Sequence, residues 1–139
     1  DVPRVHLIQE DSIKFLENFD LPIDFLYLDS FDYPYGEMLE LYGGKEDIDK
    51  ARKIMESMSE MEIIRLHNEI VRECQEHCLH ELISSMKNLR RGSIILMDDC
   101  GIPGGGKPRL ANLFLERSNT CRLLMKEYQV LWLVERKTE

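Results

Sequence analysis

Three short apolar runs, each followed by acidic residues, constrain the fold more than any other feature of this sequence. The runs and their acids are Val5 to Gln9 before Glu10-Asp11, Ile23 to Leu28 before Asp29, and Ser93 to Met97 before Asp98-Asp99. The second and third runs have the apolar content that is typical of buried strands, and Val5 to Gln9 alternates weakly, which also indicates a strand. Because helical patterns separate them, we predict an α/β fold with a doubly wound, largely parallel sheet. Ligands of such sheets bind outside the carboxyl ends of the strands, where these acids lie.

The segments between and after these runs complete the predicted fold. Their apolar spacing predicts a short helix over Ile13 to Phe19, one bent helix or two helices from Ile48 to about Leu89, and a helix over Leu110 to Arg117. Cys121 to Met125 and Gln129 to Val134 predict a final antiparallel strand pair. We expect one domain over residues 1–139, with a charged helical insertion at about 36–71.

Composition excludes several classes of partner. The formal net charge is −8, and no dense cluster of Lys or Arg could follow a phosphate backbone, so we expect no nucleic acid. No apolar run is long enough to span a bilayer, so we expect no membrane partner. The four cysteines lack the spacing of a secreted disulfide scaffold, which favours a reducing, cytoplasmic setting. We expect a small-molecule substrate, with the helical insertion as a surface for homo-oligomers.

The acids at the strand ends predict chemistry as well as topology. Carboxylates that meet at one sheet edge repel each other, so a cation or hydrogen-bond donors must compensate them. Asp29, Asp98 and Asp99 would form an all-oxygen site suited to Mg²⁺. Alternatively, Asp98 caps the next turn and Asp29 is an ordinary loop acid. Asp11-Ser12 would accept hydrogen bonds from an adenine amine, or simply cap the following helix.

Three segments resemble the third, fourth and fifth strand motifs of the class I methyltransferases that use S-adenosylmethionine, and most closely those of the metal-dependent O-methyltransferases. They are Gln9-Glu10-Asp11-Ser12, Phe25-Leu26-Tyr27-Leu28-Asp29-Ser30 and Ile94-Ile95-Leu96-Met97-Asp98-Asp99. The resemblance implies a Rossmann-like sheet with an antiparallel last strand, and O-methylation of a small acceptor. It also implies S-adenosylmethionine near Asp11, Ser12 and Asp29, and Mg²⁺ on Asp29, Asp98 and Asp99. It assigns no catalytic residue. Lys107 and Asp32 could each act as a base, but such residues are more often plain surface charges.

The sequence departs from that family in its first part. The glycine-rich loop after the family's first strand and the ribose-binding acid of its second strand have no counterpart here. The sheet would therefore lack the first two strands of the fold. An unpaired buried strand leaves backbone polar groups unsatisfied, so we expect an upstream segment to supply the missing strands.

Three other interpretations stay open at this stage. Gly101 to Lys107 matches most of a nucleotide-binding P-loop, but Pro108 replaces the Ser or Thr that would bind Mg²⁺. A flexible loop that closes over substrate is the preferred interpretation of this segment. Cys74 and Cys78 with nearby histidines could bind zinc, although cysteines on an apolar helix stripe are usually core residues. The third is a non-catalytic methyltransferase-like binding module.

Overall fold

The computed structural model describes residues 5–29, 53 and 56–136. Their helices and strands confirm the predicted α/β class. In chain order the elements are α1 (Ser12–Asn18), β1 (Ile23–Leu28), α2 (Glu60–Ile70), α3 (Arg72–Met86), β2 (Leu89–Met97), a 3₁₀ turn (Pro103–Gly105), α4 (Arg109–Arg117), β3 (Cys121–Lys126) and β4 (Val130–Val134). Helices occur in all three predicted helical segments, and α2 and α3 lie in the part of the long segment that the structure describes.

The four strands form one mixed sheet in the order β1-β2-β4-β3. β1 and β2 run parallel, with Leu28 beside Met97 at their carboxyl ends. β4 is antiparallel to both β2 and β3, which confirms the predicted antiparallel ending. The sheet is thus less parallel than predicted, since β1 and β2 form the one parallel pair in the described part of the chain.

The predicted strand over Val5 to Gln9 is wrong. These residues lie outside any helix or strand, and the Leu7 side chain is 94% exposed. The physical reason is pairing, because a strand needs a neighbour for its backbone N–H and C=O groups. Among the described residues, β1 forms the edge of the sheet and pairs with β2 alone.

The core lies between one face of the sheet and the helices α3 and α4. Apolar residues at helical spacing on α3, such as Cys78 and Leu82, pack against Ile95 of β2 and Trp132 of β4. Burial raises the pKa of the Cys78 thiol to about 12, which disfavours the thiolate that zinc would need. All four cysteines lie in the described ranges and none forms a disulfide.

Part of the predicted insertion at about 36–71 lies outside the described residues, as does the candidate base Asp32. Where the structure describes this segment, α2 confirms its helical character. The described helices include none that is both long and apolar enough to cross a bilayer.

Candidate functional site

The carboxyl ends of β1 and β2 bring three aspartates together. Asp29 directly follows β1, and Asp98 and Asp99 directly follow β2. The backbone N–H of Asp98 donates to the carbonyl of Leu28 at 3.3 Å, which keeps the two strand ends side by side. We call Asp29, Asp98, Asp99 and the Lys107 side chain among them the carboxylate rim. The sequence predicted that these three acids would share one edge, and the structure places them there.

Lys107 provides the positive charge at the rim. Lys107 is only 4% exposed, and its Nζ lies 2.6 Å from Asp29 Oδ1 and 3.2 Å from Asp99 Oδ2. Burial acts to lower the pKa of Lys107, but the hydrogen bonds and charges of the two aspartates outweigh it and raise that pKa. A lysine held protonated in this way cannot act as the general base considered from the sequence.

Tyr27 joins the carboxylates of the two strands. Alternate residues of a strand share a face, and Tyr27 precedes Asp29 by two positions. Its hydroxyl lies 2.7 Å from Asp98 Oδ2 and 3.2 Å from Asp29 Oδ2. The hydrogen bond from Tyr27 is the main cause that lowers the pKa of Asp98, and the same bond raises the pKa of the phenol. Sequence reasoning missed Tyr27, although its spacing from Asp29 was a usable signal.

The connection between β3 and β4 supplies the remaining donors. Tyr128 Oη donates to Asp99 Oδ1 at 2.7 Å, and Gln129 Nε2 donates to Asp98 Oδ2 at 3.0 Å. Nothing in the sequence singled out these two residues, because only the antiparallel return of β4 beside β2 brings them to the rim. The backbone N–H of Asp99 donates to Asp98 Oδ1 at 2.8 Å. The turn-capping role considered for Asp98 is therefore present together with its place in the rim.

The backbone of Asp99 has φ of 59°, in the left-handed region. Few residues other than glycine adopt this region, and Asp and Asn tolerate it best. This conformation turns the chain sharply after β2. Two adjacent aspartates thereby both reach the rim.

The glycine-rich segment after β2 is fixed against the helices. Gln75 of α3 is buried, and its amide donates to the carbonyl of Gly106 at 3.1 Å and to Asn68 Oδ1 of α2 at 2.9 Å. Gly104 has φ of 78°, and a Cβ there would lie 3.0 Å from the Asn68 side chain. This arrangement differs from the flexible closing loop expected from the sequence. It also directs Lys107 toward carboxylates, whereas a P-loop lysine must reach phosphate.

Asp11 and Ser12 form none of the hydrogen bonds that join the rim. The Asp11 carboxylate accepts a hydrogen bond from the backbone N–H of Lys14 at 3.0 Å, so it caps α1. Ser12 Oγ lies 3.2 Å from His77 Nε2, and Glu81 Oε1 lies 3.5 Å from the same nitrogen. A catalytic Ser-His-acid triad needs opposite ring nitrogens. This contact therefore ties α1 to α3, and cofactor binding by Asp11 and Ser12 stays a prediction.

The rim as arranged does not fit a divalent metal. Each of its six carboxylate oxygens lies within hydrogen-bond distance of a donor, from Lys107, Tyr27, Tyr128, Gln129 or the Asp99 backbone. The single hydroxyl hydrogen of Tyr27 serves either Asp98 Oδ2 or Asp29 Oδ2, and Asp98 Oδ2 is the nearer. No group of three or more His, Cys, Asp or Glu side chains suited to a metal ion occurs in the part of the chain that the structure describes. Mg²⁺ on Asp29, Asp98 and Asp99 stays a prediction of the resemblance.

A small cleft lies between α4 and the connection from β3 to β4, and its lining contains none of the rim residues. It has a volume of about 190 Å³, and its lining includes Cys100, Gly105, Arg109, Asn112 and Val130. Pockets that enclose drug-sized ligands usually have about 300–1,000 Å³. The cleft by itself therefore has room for a small fragment of a ligand and not for a whole nucleoside cofactor.

Comparisons of the chain with protein-family models, with curated proteins and with solved structures give no match.

Proposed function

We propose that this chain is a methyltransferase domain that uses S-adenosylmethionine and methylates an oxygen of a small-molecule acceptor. The observation that supports this most directly is the convergence of Asp29, Asp98 and Asp99 at the ends of two neighbouring parallel strands. Ligands of α/β sheets bind at that edge. The order of the three strand motifs adds the resemblance to class I methyltransferases described above, with its Rossmann-like sheet.

The charge of the rim favours a cationic ligand. Three carboxylates surround one buried ammonium group, so negative charge is in excess. S-adenosylmethionine carries a sulfonium and an ammonium group against one carboxylate, and its net charge complements this excess. A nucleoside triphosphate carries several negative charges, which the same carboxylates repel. The rim therefore supports the methyl donor over the P-loop alternative.

The residues of the rim would act mainly by positioning. Bound S-adenosylmethionine supplies an electrophilic methyl group on sulfur. Asp29 has a side chain that is 42% exposed, so its carboxylate can accept hydrogen bonds from a ligand. Lys107 and Tyr27 hold that carboxylate in place through the contacts already described. Holding a nucleophile and an electrophile in line can account for much of the rate of a methyl transfer.

Isothermal titration calorimetry of the full-length protein with S-adenosylmethionine, its demethylated product and ATP tests the proposal. We expect saturable micromolar binding of the first two and none of ATP. Asp29→Asn should weaken the binding at least tenfold, because the substitution removes an exposed negative charge from the rim. Lys87→Met, which removes a partly exposed lysine paired with Asp20, is the matched control and should bind like the wild type. Binding of ATP alone, or of none of the three, would contradict the proposal.

A further inference from the structure

The Lys107 ammonium group occupies the place where the resemblance puts a metal ion. Its Nζ contacts carboxylate oxygens that follow two different strands, at 2.6 Å for Asp29 and 3.2 Å for Asp99. The backbone carbonyl of Asp29 lies 3.3 Å from the same nitrogen. Carboxylate and carbonyl oxygens are the ligands that hard divalent cations take in proteins. These oxygens thus suit a cation, and the cation present is the ammonium group of Lys107, which belongs to the chain itself.

Donors already contact most carboxylate oxygens of the rim without an added ion, and only Asp29 Oδ2 depends on the Tyr27 hydrogen that Asp98 Oδ2 also accepts. Asp98 accepts from the Tyr27 hydroxyl, the Gln129 amide and the Asp99 backbone N–H. The second oxygen of Asp99 accepts from the Tyr128 hydroxyl. A divalent ion could coordinate these groups only after their present donors were displaced. It would also have to lose part of its own hydration shell, which Mg²⁺ does reluctantly.

We propose that Lys107 is a built-in replacement for a divalent metal, so that the carboxylate rim functions without Mg²⁺ and becomes a metal site only when the lysine charge is removed. The lysine reaches the rim from the glycine-rich segment that Gln75 anchors to α3. Its position is therefore fixed by packing and does not depend on a metal to assemble the site. The inference concerns the same rim as the proposed function, but it does not depend on methyl transfer.

Metal binding and thermal stability test this inference without any assay of activity. For the wild type, titration with MgCl₂ or CaCl₂ at millimolar concentration should give no saturable heat, and the melting temperature should be equal in chelator and in Mg²⁺. Lys107→Met removes the charge and keeps most of the side-chain volume. This variant should melt lower in chelator, bind one Mg²⁺ or Ca²⁺ per chain, and regain several degrees of melting temperature with either ion.

Two controls separate the specific effect from the general loss of a lysine. Lys107→Arg keeps the charge, so this variant should bind no metal and its melting temperature should be equal in chelator and in Mg²⁺. Lys87→Met removes a partly exposed lysine that pairs with Asp20, and its response to metal should equal that of the wild type.

Saturable Mg²⁺ binding by the wild type that disappears in Asp29→Asn would overturn the inference. So would a folded Lys107→Met variant that binds no more metal than the wild type. If Lys107→Met does not fold even with Ca²⁺, the wild-type titration decides. Failure of S-adenosylmethionine binding would refute the proposed function and leave these outcomes unaffected.

Discussion

Residues 5–11 and residues 23–29 were both predicted to form a strand, and they have different structures. Each segment contains several apolar residues and ends in an aspartate. The second run forms β1, where Leu28 is 4% exposed and Asp29 joins the rim, whereas Leu7 in the first run is almost fully exposed. The difference is the neighbour, because β1 pairs with β2 along its length. An apolar run with a terminal acid therefore predicts a strand end at a site only when another strand lies beside it.

The largest expected effect tests this difference in burial. Leu28→Ala should lower the free energy of unfolding by about 2–5 kcal/mol, because it opens a cavity in the core beside Met97. Leu7→Ala should change the free energy of unfolding by less than about 0.5 kcal/mol, because that side chain is in solvent. Urea denaturation followed by circular dichroism measures both. Equal losses for the two variants would show that the first run packs against protein.

A prediction of intermediate size compares Asp29, which belongs to the rim, with Asp11, which ends the first segment. A double-mutant cycle of Asp29→Ala with Lys107→Met should give a coupling energy of about 1–3 kcal/mol, a range reduced from that of fully buried pairs because Asp29 is partly exposed. The cycle of Asp11→Ala with Lys107→Met should give a coupling near zero. Asp11→Ala alone should cost about 1 kcal/mol through loss of the α1 cap. A coupling of Asp11 to Lys107 would mean that both acids belong to one site.

The smallest effect concerns the pH dependence of β1. Folding lowers the pKa of Asp98, chiefly through the hydrogen bond from Tyr27. Ionised Asp98 therefore stabilises the fold at pH values above 3.8, its ordinary pKa, and this stability is lost as the pH falls through the pKa of the folded state. Tyr27→Phe should raise the pKa of Asp98, move this acid loss of stability to higher pH and lower the stability slightly at neutral pH. Carboxyl NMR titration checks the pKa.

Phe25→Leu is the control for Tyr27→Phe, since Phe25 is exposed two positions away on the same strand and has no hydroxyl group. It should leave the Asp98 titration unchanged. An unaltered titration in Tyr27→Phe itself would assign the lowered pKa to Gln129 or the backbone instead.

The fold could be predicted from the sequence wherever a local pattern decides the structure. The periodic apolar residues of α3 and α4 and the two final strands fall in this group, since their own side chains define the buried face. The convergence of Asp29, Asp98 and Asp99 was also predictable, because parallel neighbouring strands end at one edge. The upstream segment expected from the departures of the sequence stays a prediction.

The sequence by itself determined the α/β class, the helices and the acids that end β1 and β2, because these follow from periodicity within a few residues of chain. Only the tertiary structure decided that residues 5–11 are not a strand, since that depends on a pairing partner far along the chain. It also decided that Lys107, Tyr128 and Gln129 complete the rim. Their side chains reach Asp29, Asp98 and Asp99 through the return of β4 and the anchored glycine-rich segment, and a local sequence pattern does not encode such long-range contacts.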